Sequence, residues 1–395
     1  MSVNYIIEVI FWVSFISIVY SYAIYPIFLF LISACYQAII DSQYMYVRKE
    51  RRKARDIESP EIAIVLSAYN EEKHIIDRIK NIFEQIYPTE KLFVYVGTDG
   101  CTDKTVEKLH SLTYDNLTIY EYKENRGKVS VLNDLVKEVK QDLILFTDAN
   151  TYFVDNNIRR MVRYFADQEV GAVCGELNLV KDDGSANDDG LYWKYERFLK
   201  FHENRLNALL GANGANYAIR RQLFEPFPED TIIDDFVSAL NIRLKGYRLA
   251  YAIDAVAIED VPFDHKEEYT RRVRIGAGNY QVLFRYFSIL NPRYGFLSFS
   301  FFSHKLLRWM TPHFMLLMLI CSALLAQVAL YGYFLFIQAA VYIFVIASEV
   351  MKKTDKMPGL PRLVIFFVNM NFALLVGFYR YITNKIDGVW IRTKR

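Results

Sequence analysis

Four cysteines in 395 residues, at positions 35, 101, 174 and 321, lack metal-ligand spacing and imply no disulfide framework. They read as reduced, structural thiols in a reducing compartment. Neither a G-x-G-x-x-G nor a Walker sequence is present, which disfavours a dinucleotide-binding fold and a P-loop enzyme. Net charge is only +2, so no global basic field argues for nucleic acid, and the basic residues matter by position instead. Charge is also missing from long stretches. From 5 to 40 only Glu8 is charged, and 311–348 carries no charged residue at all. A transporter or channel would need pathway charges in such spans, so that class is disfavoured.

What is abundant is apolar surface. The chain is 53% hydrophobic and 16% aromatic yet still 23% charged, a mixture that suggests a soluble domain fused to membrane segments. The run 5–40 is longer than a hydrocarbon core of roughly 30 Å needs. It reads as one long or Pro26-kinked span with an interfacial extension. A secretory signal is disfavoured by its length, its lack of a basic start and the absence of a small-residue cleavage site. RKERRKAR (48–55) follows, and its six Lys/Arg place this end in the cytoplasm. The stretch 311–348 suits two helices meeting near Tyr331-Gly332-Tyr333, and 363–379 suits another, giving one span before and about three after the soluble domain. The charges conflict on topology, because Lys352, Lys353 and Lys356, and the tail residues Arg392, Lys394 and Arg395, all prefer the cytoplasm. A re-entrant last segment would reconcile them.

Between the membrane segments the pattern alternates. Residues 61–68, 91–97, 117–123 and 143–147 read as strands, separated by helical patterns near 71–86, 103–112 and 127–140. That is an α/β fold with a doubly wound, mostly parallel sheet. The plan of the chain is then an N-terminal transmembrane helix (1–40), a basic linker (41–60), an α/β domain (61–290), and an interfacial helix with about three membrane segments (291–395).

DLILFTDAN (142–150) organises the domain. It reads as a buried strand ending abruptly in Asp148, at the carboxyl edge of the sheet where open α/β sheets bind ligands. Asp148 and Asn150 offer hard oxygen ligands to a divalent cation, Mg or Mn, and such a cation suits a diphosphate. Taken alone, an Asp after a strand is more often a turn or cap residue. Two further turns, SAYNEE (67–72) and GTDGCTDKT (97–105), fall at the same edge, and three acid-bearing turns converging on one crevice outweigh three caps.

AYNEE, GTDGCTDKT, ENRGKVSVLN (124–133) and FTDAN, in this order and spacing, resemble the nucleotide-sugar half of family 2 glycosyltransferases, the inverting group that includes cellulose, chitin and hyaluronan synthases. The resemblance implies a GT-A-like domain flanked by transmembrane helices. It assigns the base and ribose of a nucleotide diphosphate sugar, a UDP-sugar foremost, to Tyr69, Glu71 and Asp99, and metal with diphosphate to Asp148 and, imperfectly, Asn150. Lys128 reads either as facing the donor or as a solvated helix lysine. IIDDFVSALNIRLKGYRLAY (232–251) resembles the family's acidic-pair motif at a helix start, making Asp235 the general base and Asp234 its partner; capping the helix is compatible with both. EEYTRRVRIGAGNYQ (267–281) stands in place of a Q-x-x-R-W motif. Arg274 matches the Arg that contacts diphosphate, but Arg271 replaces Gln and Ile275 replaces Trp. In processive synthases that Trp stacks on the acceptor sugar.

The acceptor side falls on 151–290. There 170–180 reads as a strand, KDDGSANDDG (181–190) as a mobile polar loop, and 191–207 as an amphipathic helix carrying Trp193 and Tyr195. GANGANYAIRR (211–221) sets two glycines around Asn213, so Asn213 and Gly214 allow close backbone approach to a sugar, or form a plain turn. Arg308-Trp309 lacks the Gln and abuts a span, which reads as interfacial anchoring. The expected activity is transfer of a sugar to a lipid-linked or membrane-associated glycan, in contact with membrane lipids and without nucleic acid, by a multi-pass protein of the bacterial plasma membrane whose catalytic domain is cytosolic. A processive synthase extruding its own polymer is the alternative in the same class. An inactive scaffold is raised by Asn150, Arg271 and Ile275, and opposed by Asp99, Asp148, Asp235 and Arg274.

Overall fold

A computed structural model describes residues 3–47, 58–180, 190–260, 265–351 and 359–384. The basic run 48–55, the loop 181–189, and the basic residues at 352–356 and 392–395 lie outside the described residues. The chain divides into two compact units. One comprises Met1–Phe28, Glu268–Pro292 and Phe301–Ile386, and the other is built on Leu29–Glu267 with Arg293–Ser300.

In chain order the elements are α1 (Val3–Val19), α2 (Tyr25–Val47), β1 (Ile62–Ala68), α3 (Ile75–Phe83), β2 (Leu92–Asp99), α4 (Thr105–His110), β3 (Leu117–Tyr122), α5 (Lys128–Glu138), β4 (Leu143–Phe146), β5 (Thr151–Phe153), α6 (Asn157–Val162), β6 (Val170–Val180), α7 (Gly190–Arg205), β7 (Tyr217–Arg220), α8 (Asp234–Leu244), β8 (Arg248–Asp260) and α9 (His265–Arg285). The remaining helices are α10 (Phe296–Ser300), α11 (Leu307–Leu324), α12 (Ala329–Val350) and α13 (Leu360–Ile382).

In the α/β unit one sheet runs in the order β3-β2-β1-β4-β7-β6-β8-β5. β1 and β4 are continuous apolar runs because they are covered on both faces, and their residues are buried almost without alternation. β3, β2, β1 and β4 are parallel, so their carboxyl ends share one edge. β7 then pairs antiparallel with both β4 and β6 and turns the sheet into a mixed one. The core beneath joins Ile62, Ile64 and Leu66 of β1 to Ile75, Ile79 and Ile82 of α3 and to Val94 and Val96 of β2. Ile75, Ile79 and Ile82 are spaced as one face of a helix requires.

Two strands have no counterpart in the pattern reading. β5 has only three residues, too few to show a period. β8 is 13 residues long and pairs with β6 across a register shift at Gly175/Glu176, where the bulge interrupts alternation.

Among the described residues, four helices have the length and composition to cross a membrane: Val3–Tyr46, Phe296–Leu324, Ala329–Val350 and Leu360–Ile382. The last two belong wholly to the other unit, whereas Leu29–Tyr46 of the first and Phe296–Ser300 of the second are assigned to the α/β unit. The break expected near Tyr331-Gly332-Tyr333 falls instead at 325–328, and Gly332 lies inside α12. The turn is formed by Leu-Ala-Gln-Val, which contains no Gly or Pro to announce it. Trp309 is also placed differently from the interfacial-anchor reading. Its ring is buried edge-on against Phe301 at 5.6 Å, and its carbonyl accepts the Tyr280 hydroxyl. α9 and α13 approach closely at Gly377, where a Cβ would meet the backbone of Ala277 at 2.7 Å. Gly377→Leu is expected to unseat these two helices and lower the thermal midpoint by several degrees, measured on protein in lipid.

Candidate active site

The crevice is built from the carboxyl ends of β1, β2 and β4. Asn70, in the left-handed region at φ 57°, clasps the second turn through its amide oxygen, which accepts the N–H groups of Thr102 (2.7 Å) and Asp103 (3.3 Å). Asp99 ends β2 with its carboxylate buried, and its two oxygens accept the N–H groups of Arg126 and Gly127, each at 2.8 Å. Gly127, at φ 88°, then delivers the chain into α5. Asp99 thus fixes the residue that follows, Lys128. The Lys128 ammonium donates to Asp148 Oδ1 at 2.9 Å and lies 3.6 Å from Asp234 Oδ2. Burial works against its charge, but Asp148 and Asp234 outweigh burial and hold its pKa above the ordinary lysine value.

Asp234 and Asp235 open α8, where the helix dipole favours acids. Asp234 is 8% exposed, and its Oδ2 has no hydrogen-bond partner. Asp235 Oδ1 accepts the N–H of Phe236 at 2.8 Å. Burial first, and then the neighbouring Asp234, push the Asp235 carboxyl up to about 6. A Cβ built on Gly214 would stand 3.2 Å from Asp235 Oδ2, so the glycine leaves open the space in front of that oxygen. Gly214→Ala is therefore expected to cut turnover roughly 10–100-fold with the fold intact, checked by initial rates beside a thermal melt.

The other expected residues are distributed as follows. Glu71 is buried and Tyr69 half-buried in the first turn. Asn213 donates to Gly175 O at 2.8 Å and accepts from Lys200 Nζ at 2.5 Å, so its amide ties β6 and α7 to the loop. Asn150 donates to Glu259 Oε1 at 3.3 Å and stands beside β8, outside the set gathered by Lys128. Trp193 on α7 is half-buried, with the Tyr192 ring 5.9 Å away, and is not in that set either. Arg271, Arg274 and Ile275 lie on α9 in the membrane unit. There Arg271 pairs locally with Glu268 at 2.9 Å and Arg274 is exposed.

Two residues near the site escaped the sequence reading. Arg78 on α3 is fully buried, and Thr147, just before Asp148, accepts a hydrogen bond from it at 2.7 Å. Arg78 sits at i+3 from Ile75 in the buried stripe of an amphipathic helix, and that placement was the available signal.

The donor set suits a divalent cation bound together with a diphosphate. Three carboxylates, Asp148, Asp234 and Asp235, face one ammonium, leaving a formal charge of −2, and the buried Asp234 Oδ2 accepts no hydrogen bond, its contact with Lys128 being an ion pair at 3.6 Å. Among the described residues no group of three His, Cys, Asp or Glu side chains could hold a metal alone. Phosphate oxygens would complete the shell, the usual arrangement for Mg.

The Glycosyl transferase family 2 profile matches residues 63–226, which spans the three turns, Lys128, Asp148 and Gly214. The chain carries a family 2 glycosyltransferase domain. The glycosyltransferase is 26% identical over 290 residues to the poly-beta-1,6-N-acetyl-D-glucosamine synthase of Staphylococcus aureus strain COL, covering 68% of this chain and 67% of the relative. In fold it is similar to the mannosyltransferase PcManGT of Pyrobaculum calidifontis, a structure solved with GDP-Man and Mn2+. That likeness has a TM-score of 0.66 at 21% identity and covers 91% of this chain and 99% of the other. The GT-A-like α/β class and the transferase activity expected from the sequence both hold.

Proposed function

We propose that this glycosyltransferase moves a sugar, with inversion, from a nucleotide diphosphate sugar to a lipid-linked or membrane-associated glycan in bacterial surface polysaccharide synthesis. The donor is a UDP-sugar, the protein sits in the plasma membrane, and the α/β domain faces the cytosol. The observation that carries this reading is the convergence of Asp148, Asp234 and Asp235 around Lys128 at the carboxyl edge of the sheet.

In this reading Tyr69 and Glu71 receive the base and ribose. Asp148 would hold a divalent cation, Mg or Mn, which when bound would neutralise charge on the departing diphosphate. Lys128 donates to the same phosphates. Asp235 accepts the proton of the acceptor hydroxyl through the oxygen facing Gly214. As the acceptor hydroxyl oxygen bonds to the anomeric carbon, the bond from that carbon to the diphosphate breaks on the opposite side, and the nucleoside diphosphate leaves. Asp234 supports Asp235 by raising its affinity for that proton. Asn213, Gly214 and Trp193 border the acceptor.

Product length separates two versions of this function. Ile275 cannot supply the π-face on which a sugar re-registers between rounds, which favours addition of one or a few sugars. The name of the Staphylococcus relative, a polymer synthase, favours the processive alternative. With purified protein in lipid, a UDP-sugar and labelled acceptor sampled at low turnover, uniform short products are expected. Long chains beside unextended acceptor would establish processivity instead.

A further inference from the structure

Among the described residues of the α/β unit, Arg78 is the one fully buried cation that the proposed reaction does not use. Its guanidinium donates through one terminal nitrogen to Thr147 Oγ1 and through the other to Asn81 Oδ1, both at 2.7 Å. Its plane covers the Phe153 ring at 4.0 Å. Among the described residues no carboxylate lies in ion-pair contact with it, although the nearby Asp148 favours its charged form, and its Nε has no hydrogen-bond partner. Burial of this guanidinium outweighs the help of Asp148 and pushes its pKa down, and in a stripe otherwise made of Ile75, Ile79 and Ile82 an apolar residue would fill the position at lower cost. Stability alone therefore does not account for an arginine here.

Its partners lie on both sides of the Asp148 turn. Thr147 immediately precedes Asp148, and its hydroxyl passes the contact on by donating to Ala215 O at 2.9 Å, next to Gly214. Beyond the turn, Asn81 accepts the Phe153 N–H at 2.7 Å and donates to Phe153 O at 3.0 Å, gripping β5. One side chain thus braces residues 147 and 153 and, through Thr147, the loop that faces Asp235. A planar fork with two separated donor nitrogens suits this task, and a lysine, as a point donor, does not.

We infer that Arg78 is a positioning residue for the reaction, holding the Asp148 turn in register with the 213–216 loop so that Asp148 meets the cation and diphosphate together. The inference rests on the reading that Asp148 binds them.

The test is Mn2+ binding by full-length protein in nanodiscs at saturating UDP, read from the electron paramagnetic resonance of free Mn2+. Wild type is compared with Arg78→Lys, which keeps the charge and loses the fork, and with Thr147→Val, which keeps shape and charge and loses the hydroxyl. Asp148→Asn serves as control, and melting midpoints are recorded for all four proteins. Asp148→Asn is expected to weaken binding at least tenfold, and the other two about three- to tenfold, with Thr147→Val melting near wild type. Should Arg78→Lys not fold, Thr147→Val decides. Wild-type affinity in Thr147→Val with loss in Asp148→Asn would overturn the positioning role alone. Undiminished affinity in Asp148→Asn would overturn the donor-site reading and this inference with it.

Discussion

Asp235→Asn is expected to lower turnover by roughly 10²–10⁴-fold, to leave donor affinity near wild type, and to raise the melting midpoint of the cation-free protein at neutral pH. The first two effects follow from removing a base that acts on the acceptor and does not hold the donor. The third follows from linkage. Burial and Asp234 raise the Asp235 carboxyl to about 6, so the folded state binds its proton more tightly than the unfolded chain does. The stability this group contributes is complete below pH about 4 and is lost as pH rises through about 6. At pH 7 the ionised carboxylate is a burden on the fold of order 1–3 kcal/mol, which the amide relieves. The same carboxyl gives kcat/KM an acid limb, with activity falling as pH drops through about 6 and Asp235 takes up its proton. A melt at pH 7 in chelator, beside initial rates at saturating donor, checks all of this. A lowered midpoint with equal losses of rate and donor affinity would make Asp235 a structural residue.

Asp148→Ala is expected to reduce turnover at least roughly 10³-fold and to abolish metal-dependent binding of nucleoside diphosphate. Its carboxylate is the closest partner of Lys128, at 2.9 Å, and its loss leaves that ammonium with Asp234 at 3.6 Å. Lys128 therefore keeps a counter-ion, and the fold is expected to survive. Calorimetric titration with UDP, with and without Mn2+, separates the outcomes. Metal-dependent binding that persists in the alanine variant would move the cation site elsewhere.

The first half of the sheet was legible because β1, β2 and β4 are apolar runs bounded by polar turns, as strands covered on both faces must be. Asp234 and Asp235 were legible as an acid pair at a helix start, where dipole and chemistry ask for the same residues. Asp99 shows the limit of such reading. The family resemblance assigned it to the donor, and the structure adds that its oxygens hold the N–H groups of Arg126 and Gly127 and so aim Lys128. Side-chain partners separated by 27 or 28 residues leave no period in a sequence. Arg78 was hidden for a related reason. A charged residue on an amphipathic helix ordinarily belongs to the solvated face, and only the tertiary fold puts this one under Thr147. The turn at 325–328 could not be read because neither Gly nor Pro marks it.

The central claim is cation-assisted, inverting sugar transfer by the site that Asp148, Lys128 and Asp235 assemble. Its most direct test is to present purified full-length protein in lipid with a panel of UDP-sugars and a lipid-linked acceptor, following UDP release and the anomeric configuration of the product by NMR, before and after exhaustive chelation. The account predicts UDP release that chelation stops and Mn2+ or Mg2+ restores, with the anomeric configuration inverted relative to the donor. Retained configuration, or release that chelation does not diminish, would contradict it.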